Sequence, residues 1–220
     1  MKNLVKFLVL VGVFFMTTEL FAQNFGVRAG LNVSKINGNN LVQAFNDEFN
    51  WKNGFHVGAT AEFPMTDVFS FETGLYFSTK GYNFSEVNNF FGITNSFIGS
   101  LDFYYLDVPL TAKASFDLGG VRVYGLLGPY IGLGLSGKLD YDSIIGMSEN
   151  SHEIAVEWGA DKDYKRLDYG LTVGAGVEIN SILIGLTYNL GLANITTETA
   201  NDARANHRVI AVSVGYVFGR

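Results

Sequence analysis

The stretch LDYGLTVGAGVEI (167–179) decides the fold. Leu167, Tyr169, Leu171, Val173, Ala175, Val177 and Ile179 alternate without a break with Asp168, Gly170, Thr172, Gly174, Gly176 and Glu178. A repeat of two is that of a β-strand, whose successive side chains leave opposite faces; a helix would repeat near 3.6. The segment therefore has one apolar face and one face of glycine, hydroxyl and charge.

Working outward, the same parity recurs in seven further segments. Phe25, Val27, Ala29, Leu31 and Val33 oppose Gly26, Arg28, Gly30, Asn32 and Ser34. Phe55, Val57, Ala59, Ala61 and Phe63 oppose Gly54, His56, Gly58, Thr60 and Glu62. Phe69–Ser78, Leu106–Phe116, Val121–Leu135, Ile182–Leu190 and Val209–Phe218 repeat the pattern. The connections alternate in length: Lys35–Lys52, Gly81–Phe103, Gly137–Lys165 and Leu192–Asn206 are long, whereas Pro64–Asp67, Asp117–Gly120 and Asn180–Ser181 are tight. Long loops on one side and short turns on the other are the pattern of an antiparallel up-and-down transmembrane barrel, with its turns in the periplasm. The expectation is an all-β, eight-stranded barrel over 23–220.

Composition agrees. The 220 residues are 48% hydrophobic and 16% charged, with 26 Gly and no Cys, which excludes a disordered or disulfide-stapled chain. A net charge of −6 argues against nucleic acid as a partner. Residues 1–22 read as an export signal: Lys2 and Lys6 precede the apolar run Phe7–Met16, and Leu20-Phe21-Ala22 offers a processing site. Beyond it no apolar run reaches the roughly 20 residues of a membrane helix.

Which face meets lipid follows from volume. The apolar side chains would overfill an eight-stranded barrel, whose interior holds only a filling of side chains. Glycine inside such a barrel makes room for Tyr76, Tyr124, Tyr130 and Arg28. The polar face is therefore expected inward and the apolar face in the bilayer. Aromatic girdles follow: Phe25, Phe63, Phe69, Phe71, Phe116 and Phe218 near the turns, and Trp51, Phe77, Tyr104 and Tyr169 near the loops.

Two sets of inward residues carry chemistry. Arg28, Glu62, Glu72, Lys113, Arg122 and Glu178 lie at similar depth in the periplasmic half and are expected to form a neutral salt-bridged network, because charges away from water persist when paired. In that network Arg122→Leu should lower the unfolding temperature. His56, Asp107 and Asp168 lie nearer the outer mouth, where a histidine with carboxylates forms a possible hydrolytic or metal site. No further residue at diagnostic spacing accompanies them, so no catalytic residue, metal or cofactor is assigned. Pro109 and Pro129 each remove a ladder donor, which predicts local bulges. The acidic stretch Gly137–Lys165 lacks the Gly-punctuated Asp ladder of a calcium loop and reads as solvated surface.

The strings FGVRAGLN (25–32), YLDVPL (105–110), GLTVGAGVE (170–178), GLTYNLGLAN (185–194) and VGYVF (214–218) together resemble the PorT-like outer-membrane β-barrel family. The resemblance spans nearly the whole chain after the signal. It implies an eight-stranded barrel inserted by the outer-membrane assembly machinery, which reads a last strand such as Val212, Val214, Tyr216 and Phe218; Gly219 and Arg220 follow here, where many barrels end on the aromatic. It also implies a link to secretion, through the founding member, and carries over no catalytic residue. The expected protein is a small, monomeric, non-enzymatic outer-membrane barrel contacting lipid, with structural, surface-binding or secretion-accessory roles played by its outer loops. The alternatives are a lipid A-modifying enzyme on the same scaffold and a soluble ligand-binding β-barrel.

Overall fold

The computed structural model describes residues 24–39, 49–90, 93–145, 148–159, 162, 164–197 and 204–218. The expected export signal, 1–22, lies outside them. The described chain forms strands β1 (Asn24–Asn39), β2 (Phe49–Asn50), β3 (Lys52–Pro64), β4 (Phe69–Phe90), β5 (Ile93–Asp117), β6 (Val121–Ile145), β7 (Ser148–Ala155), β8 (Leu167–Ile179), β9 (Ile182–Gly191) and β10 (Arg204–Phe218). All pairings between them are antiparallel, and β1 closes the ring against β10 from Phe25↔Phe218 to Asn39↔Arg204. The wall runs β1–β3–β4–β5–β6–β8–β9–β10 and back to β1.

The eight expected strands make the wall; the two further strands, β2 and β7, and the longer β4, β5 and β6 come from segments expected to be loops. Between Gly81 and Phe103 the ladder continues to Phe90↔Ile93, and within Gly137–Lys165 strand β6 runs on to Ile145 and turns back as β7. These segments lie beyond the apolar belt. No lipid faces them there, so they lose the apolar alternation while their backbones go on pairing. The two-residue β2 joins β4 at Phe49↔Phe84.

The tight turns are where the sequence puts them. Thr66 Oγ1 accepts from the amides of Phe69 at 2.9 Å and Val68 at 3.3 Å. Asp117 Oδ1 accepts from Gly119 N at 2.9 Å and Gly120 N at 3.3 Å, and both glycines take the left-handed conformation with φ of 82° and 100°. Asn180 turns the β8–β9 hairpin at φ 55°. The prolines do not bulge the wall. Register is unchanged on either side of Pro109, from Asp107↔Gly132 to Ala112↔Leu127, and across Pro129. The shift lies at Tyr104/Tyr105, where β6 carries the extra residue Leu135.

Parity sorts the two faces. Leu31, Leu127 and Val214 are 70%, 59% and 57% exposed, while Arg28, Glu62, Glu72, Lys113 and Glu178 are buried. A wall with aliphatic side chains outside and charge inside suits a bilayer and not water. Among the described residues no helix is long and apolar enough to cross a membrane. Val173, at the centre of β8, is half exposed on the outer face. Val173→Arg is expected to destabilise the folded barrel by about 2 to 4 kcal/mol, the cost of a cation near the bilayer midplane, measured as a shift in the urea midpoint for folding into phospholipid vesicles.

Candidate functional site

The interior is filled in layers. The lowest is ionic. Antiparallel register sets Glu62 directly opposite Glu72 on β3 and β4, and Ser70 opposite Lys113 on β4 and β5. Like charges across a ladder repel, and Lys113 Nζ resolves this by donating to Glu62 Oε2 at 2.8 Å and Glu72 Oε2 at 3.0 Å. Arg28 Nη2 reaches Glu72 Oε1 at 3.0 Å, and Ser70 Oγ donates to Glu62 Oε1 at 2.9 Å. Lys113 also lies 4.7 Å above the Tyr124 ring. Arg122 and Glu178 face each other in register on β6 and β8. Glu178 is buried and Arg122 half-buried, and among the described residues Arg122 forms no ion pair with Glu62 or Glu72. The expected thermal effect of Arg122→Leu rests accordingly on its in-register neighbour Glu178.

Above this layer lies a cavity of about 70 Å³ bordered by Asn32, His56, Glu72, Asp107, Tyr130 and Ser213. It has room for a few waters. His56 Nδ1 lies 2.7 Å from Asn32 Oδ1, and Nε2 lies 3.0 Å from Ser213 Oγ. Both ring nitrogens are thus engaged with neutral groups, and His56 is not joined to Asp107 or Asp168 as a histidine–carboxylate pair.

Those two aspartates belong to a second ionic layer centred on Lys80, a residue the alternation of β4 reaches two positions beyond Ser78. Lys80 Nζ donates to Asp107 Oδ1 at 2.8 Å and to Asp168 Oδ2 at 3.0 Å, and Tyr130 Oη donates to Asp168 Oδ2 at 3.2 Å. The ammonium lies 4.5 Å and 5.0 Å over the Tyr105 and Tyr130 rings. Because β5 and β6 lie between β4 and β8 in the wall, the Lys80–Asp168 contact ties non-adjacent strands across the lumen.

The outer mouth is closed by aromatic rings. Phe103 lies 5.5 Å from Trp158, 4.8 Å from Tyr164 and 5.5 Å from His207, centroid to centroid, and Tyr105 packs edge-on against Trp158 and His207. Ile36, Leu101 and Ile195 complete the plug. Trp158 fits only because residue 134 is glycine: a Cβ there would stand 2.5 Å from the indole. Trp158 and Tyr164 come from the stretch that reads as an acidic loop, and no periodicity in the sequence marks them. His207 does follow the inward parity of Val209 and Ala211 on β10. Among the described residues no cluster of three His, Asp or Glu side chains is arranged to hold a metal.

Comparison with known proteins places this architecture. The model of the family described as "Outer membrane protein beta-barrel domain" matches residues 21–197. Among solved structures, Neisserial surface protein A (NspA) is similar at 17% identity over 88% of this chain and 95% of that one, with a TM-score of 0.44. OprG from Pseudomonas aeruginosa is similar at 13% identity over 90% and 97%, with a TM-score of 0.44. Ail, the attachment invasion locus protein of Yersinia pestis, is similar at 16% identity over 90% and 100%, with a TM-score of 0.35. No curated protein matches the chain.

Proposed function

Because the chain belongs to the outer membrane protein beta-barrel domain family, and so resides in the bacterial outer membrane, we propose that it is a closed, non-enzymatic barrel acting at the cell surface through the strands it raises above the bilayer. One observation carries this reading. The lumen is obstructed by two ionic layers and an aromatic plug, while β4, β5, β6 and β7 extend past the belt as a paired sheet. Among the described residues these layers stand across the lumen, and the cavity between them, about 70 Å³, has room for a few waters only. What the fold offers to other molecules is its projecting sheet.

A ring that closes on itself leaves no free strand edge in the wall for a second copy to pair with, which supports reading the barrel as a monomer. The assembly machinery inserts it by its last strand. The PorT-like resemblance makes surface or secretion complexes the partners of the projecting strands. Planar-bilayer recording is the test: the purified barrel is expected to give no steady open-channel current, and stable unitary steps would overturn the closed reading. Lipid A mass spectra from a deletion strain should match the parent; a gained or lost acyl chain would establish an enzyme instead.

A further inference from the structure

The projecting sheet ends on one side at β7, which ladders with β6 from Lys138↔Ala155 to Ile145↔Ser148 and has no other strand partner among the described residues. Val156 N donates to Gly137 O at 2.9 Å, one row below Ala155. Rows that exchange both backbone bonds alternate, in an antiparallel ladder, with rows whose amides and carbonyls point away from the partner. The even residues of β7 therefore bond to β6, and Glu149, Ser151, Glu153 and Ala155 turn their backbone groups to the outer edge. Among the described residues no backbone group meets them there, and 150–155 are exposed throughout.

Sheets commonly guard such an edge with proline, lysine or a bulge. The strand SENSHEIA (148–155) holds no proline and no lysine, and it pairs with β6 in unbroken register. Its two faces differ. On one, Glu153 lies in register with Asp140 and Ser151 with Asp142, and Lys138 Nζ stands 3.0 Å from both Asp140 Oδ1 and Glu153 Oε2. Lys138 shares that face with three carboxylates, which leaves an excess of negative charge. On the other, the Tyr141 and His152 rings stack at 5.0 Å, and Ile154, 49% exposed, lies in register with Leu139, which packs against the aromatic plug. A second copy would bring two glutamates and no Lys or Arg to this edge, and like charges across a ladder repel. A strand of opposite charge is attracted.

We propose that β7 takes up, as an added strand on its outer edge, an extended segment of a partner protein in which Lys or Arg alternates with apolar residues. The cations stand beside Glu153 and Asp140 and the apolar side chains beside His152 and Ile154. Backbone bonds to Ser151, Glu153 and Ala155 supply affinity, and the alternation of side chains supplies selectivity. This partner chemistry rests on the projecting strands being the acting surface, and β7 is the edge that selects it.

The refolded mature chain in micelles is titrated with fluorescent octapeptides that alternate Lys with Val or Glu with Val, and binding is read by anisotropy. The Lys–Val peptide is expected to bind at least about tenfold more tightly than the Glu–Val peptide. N-methylation of the backbone amides of its lysines keeps the charge, blocks the pairing and is expected to abolish binding. Equal binding of the two peptides, or undiminished binding after N-methylation, overturns the proposal. Ser151→Pro removes an edge donor without touching the ladder to β6 and should weaken the Lys–Val peptide about tenfold; unchanged binding refutes the site. Should that variant lose its heat-modifiable migration, Glu153→Lys must weaken the Lys–Val peptide and strengthen the Glu–Val peptide, each about threefold, and an unaltered ratio refutes the site. Cross-linking of β7 to β7 between barrels would assign the edge to a second copy and overturn the basic partner. The planar-bilayer recording tests the closed barrel without β7, so a silent barrel that ignores the Lys–Val peptide refutes this proposal alone.

Discussion

Replacing Lys113 by Met is expected to destabilise the folded barrel by about 3 to 5 kcal/mol, the cost of stranding buried carboxylates by removing their counter-charge. Met keeps the length and apolar stem of the side chain, so packing changes little. What is lost is the ammonium between Glu62 Oε2 and Glu72 Oε2. Glu72 retains Arg28 at 3.0 Å and Glu62 retains the Ser70 hydroxyl, so the net charge of the layer turns negative with the two glutamates facing each other in register. The urea midpoint of vesicle-inserted protein measures the effect. Adding Glu62→Gln to Lys113→Met should recover a large part of it, because the two residues share one network and their effects cannot add. A Lys113→Met barrel as stable as the parent would show that water enters this layer freely.

Lys80→Met is expected to cost a similar amount, about 3 to 5 kcal/mol, with a different pattern of rescue. Lys80 balances two aspartates from β5 and β8, so Asp107→Asn alone on the Met background leaves Asp168 uncompensated. Only the triple variant with both aspartates changed to asparagine should return near the parent, since replacing every partner of a buried ion cluster by neutral groups is close to neutral in free energy. Full rescue by Asp107→Asn alone would mean that Asp168 relies on Tyr130 rather than on Lys80.

Both residues bear on what the sequence makes legible. Strand alternation records the solvents on the two faces of a wall, and it therefore assigns Val27 outward and Arg28 inward, and Val173 outward and Thr172 inward, with no knowledge of the partner strands. The turns at Asp117–Gly120 and Asn180–Ser181 are legible for the same local reason: their residues alone carry the required backbone conformations. Legibility ends where the lipid ends. Past Gly81 and Gly137 the apolar alternation of the belt is lost from the sequence while the backbone ladder continues, and paired strands look like loops.

Encounters across the lumen are the other boundary. They depend on ring closure and strand stagger, which no single segment encodes. Residue type alone puts His56 beside Asp107 and Asp168, whereas the closed ring gives it Asn32 and Ser213 and brings Lys80 to the aspartates. Arg122 shows the converse: correct parity and similar depth did not suffice to bring it into the ion-paired layer. Trp158 and Tyr164 were beyond reach because an inward-folded loop has no period to betray it.

The strands that pass the belt also have a mechanical consequence. β5 runs unbroken for 25 residues, from the outer end of the β4–β5 hairpin to the periplasmic turn at Asp117, with β4 and β6 laddered along its flanks. A pull applied at the hairpin tip is directed along these strands, so their hydrogen bonds share the load in shear instead of opening one after another. Tension from whatever is gripped outside is delivered to the wall as a whole, and the cross-lumen tie from Lys80 to Asp168 braces non-adjacent strands against deformation. The molecule is built like a post set in a floor, able to hold against drag without unravelling from its top.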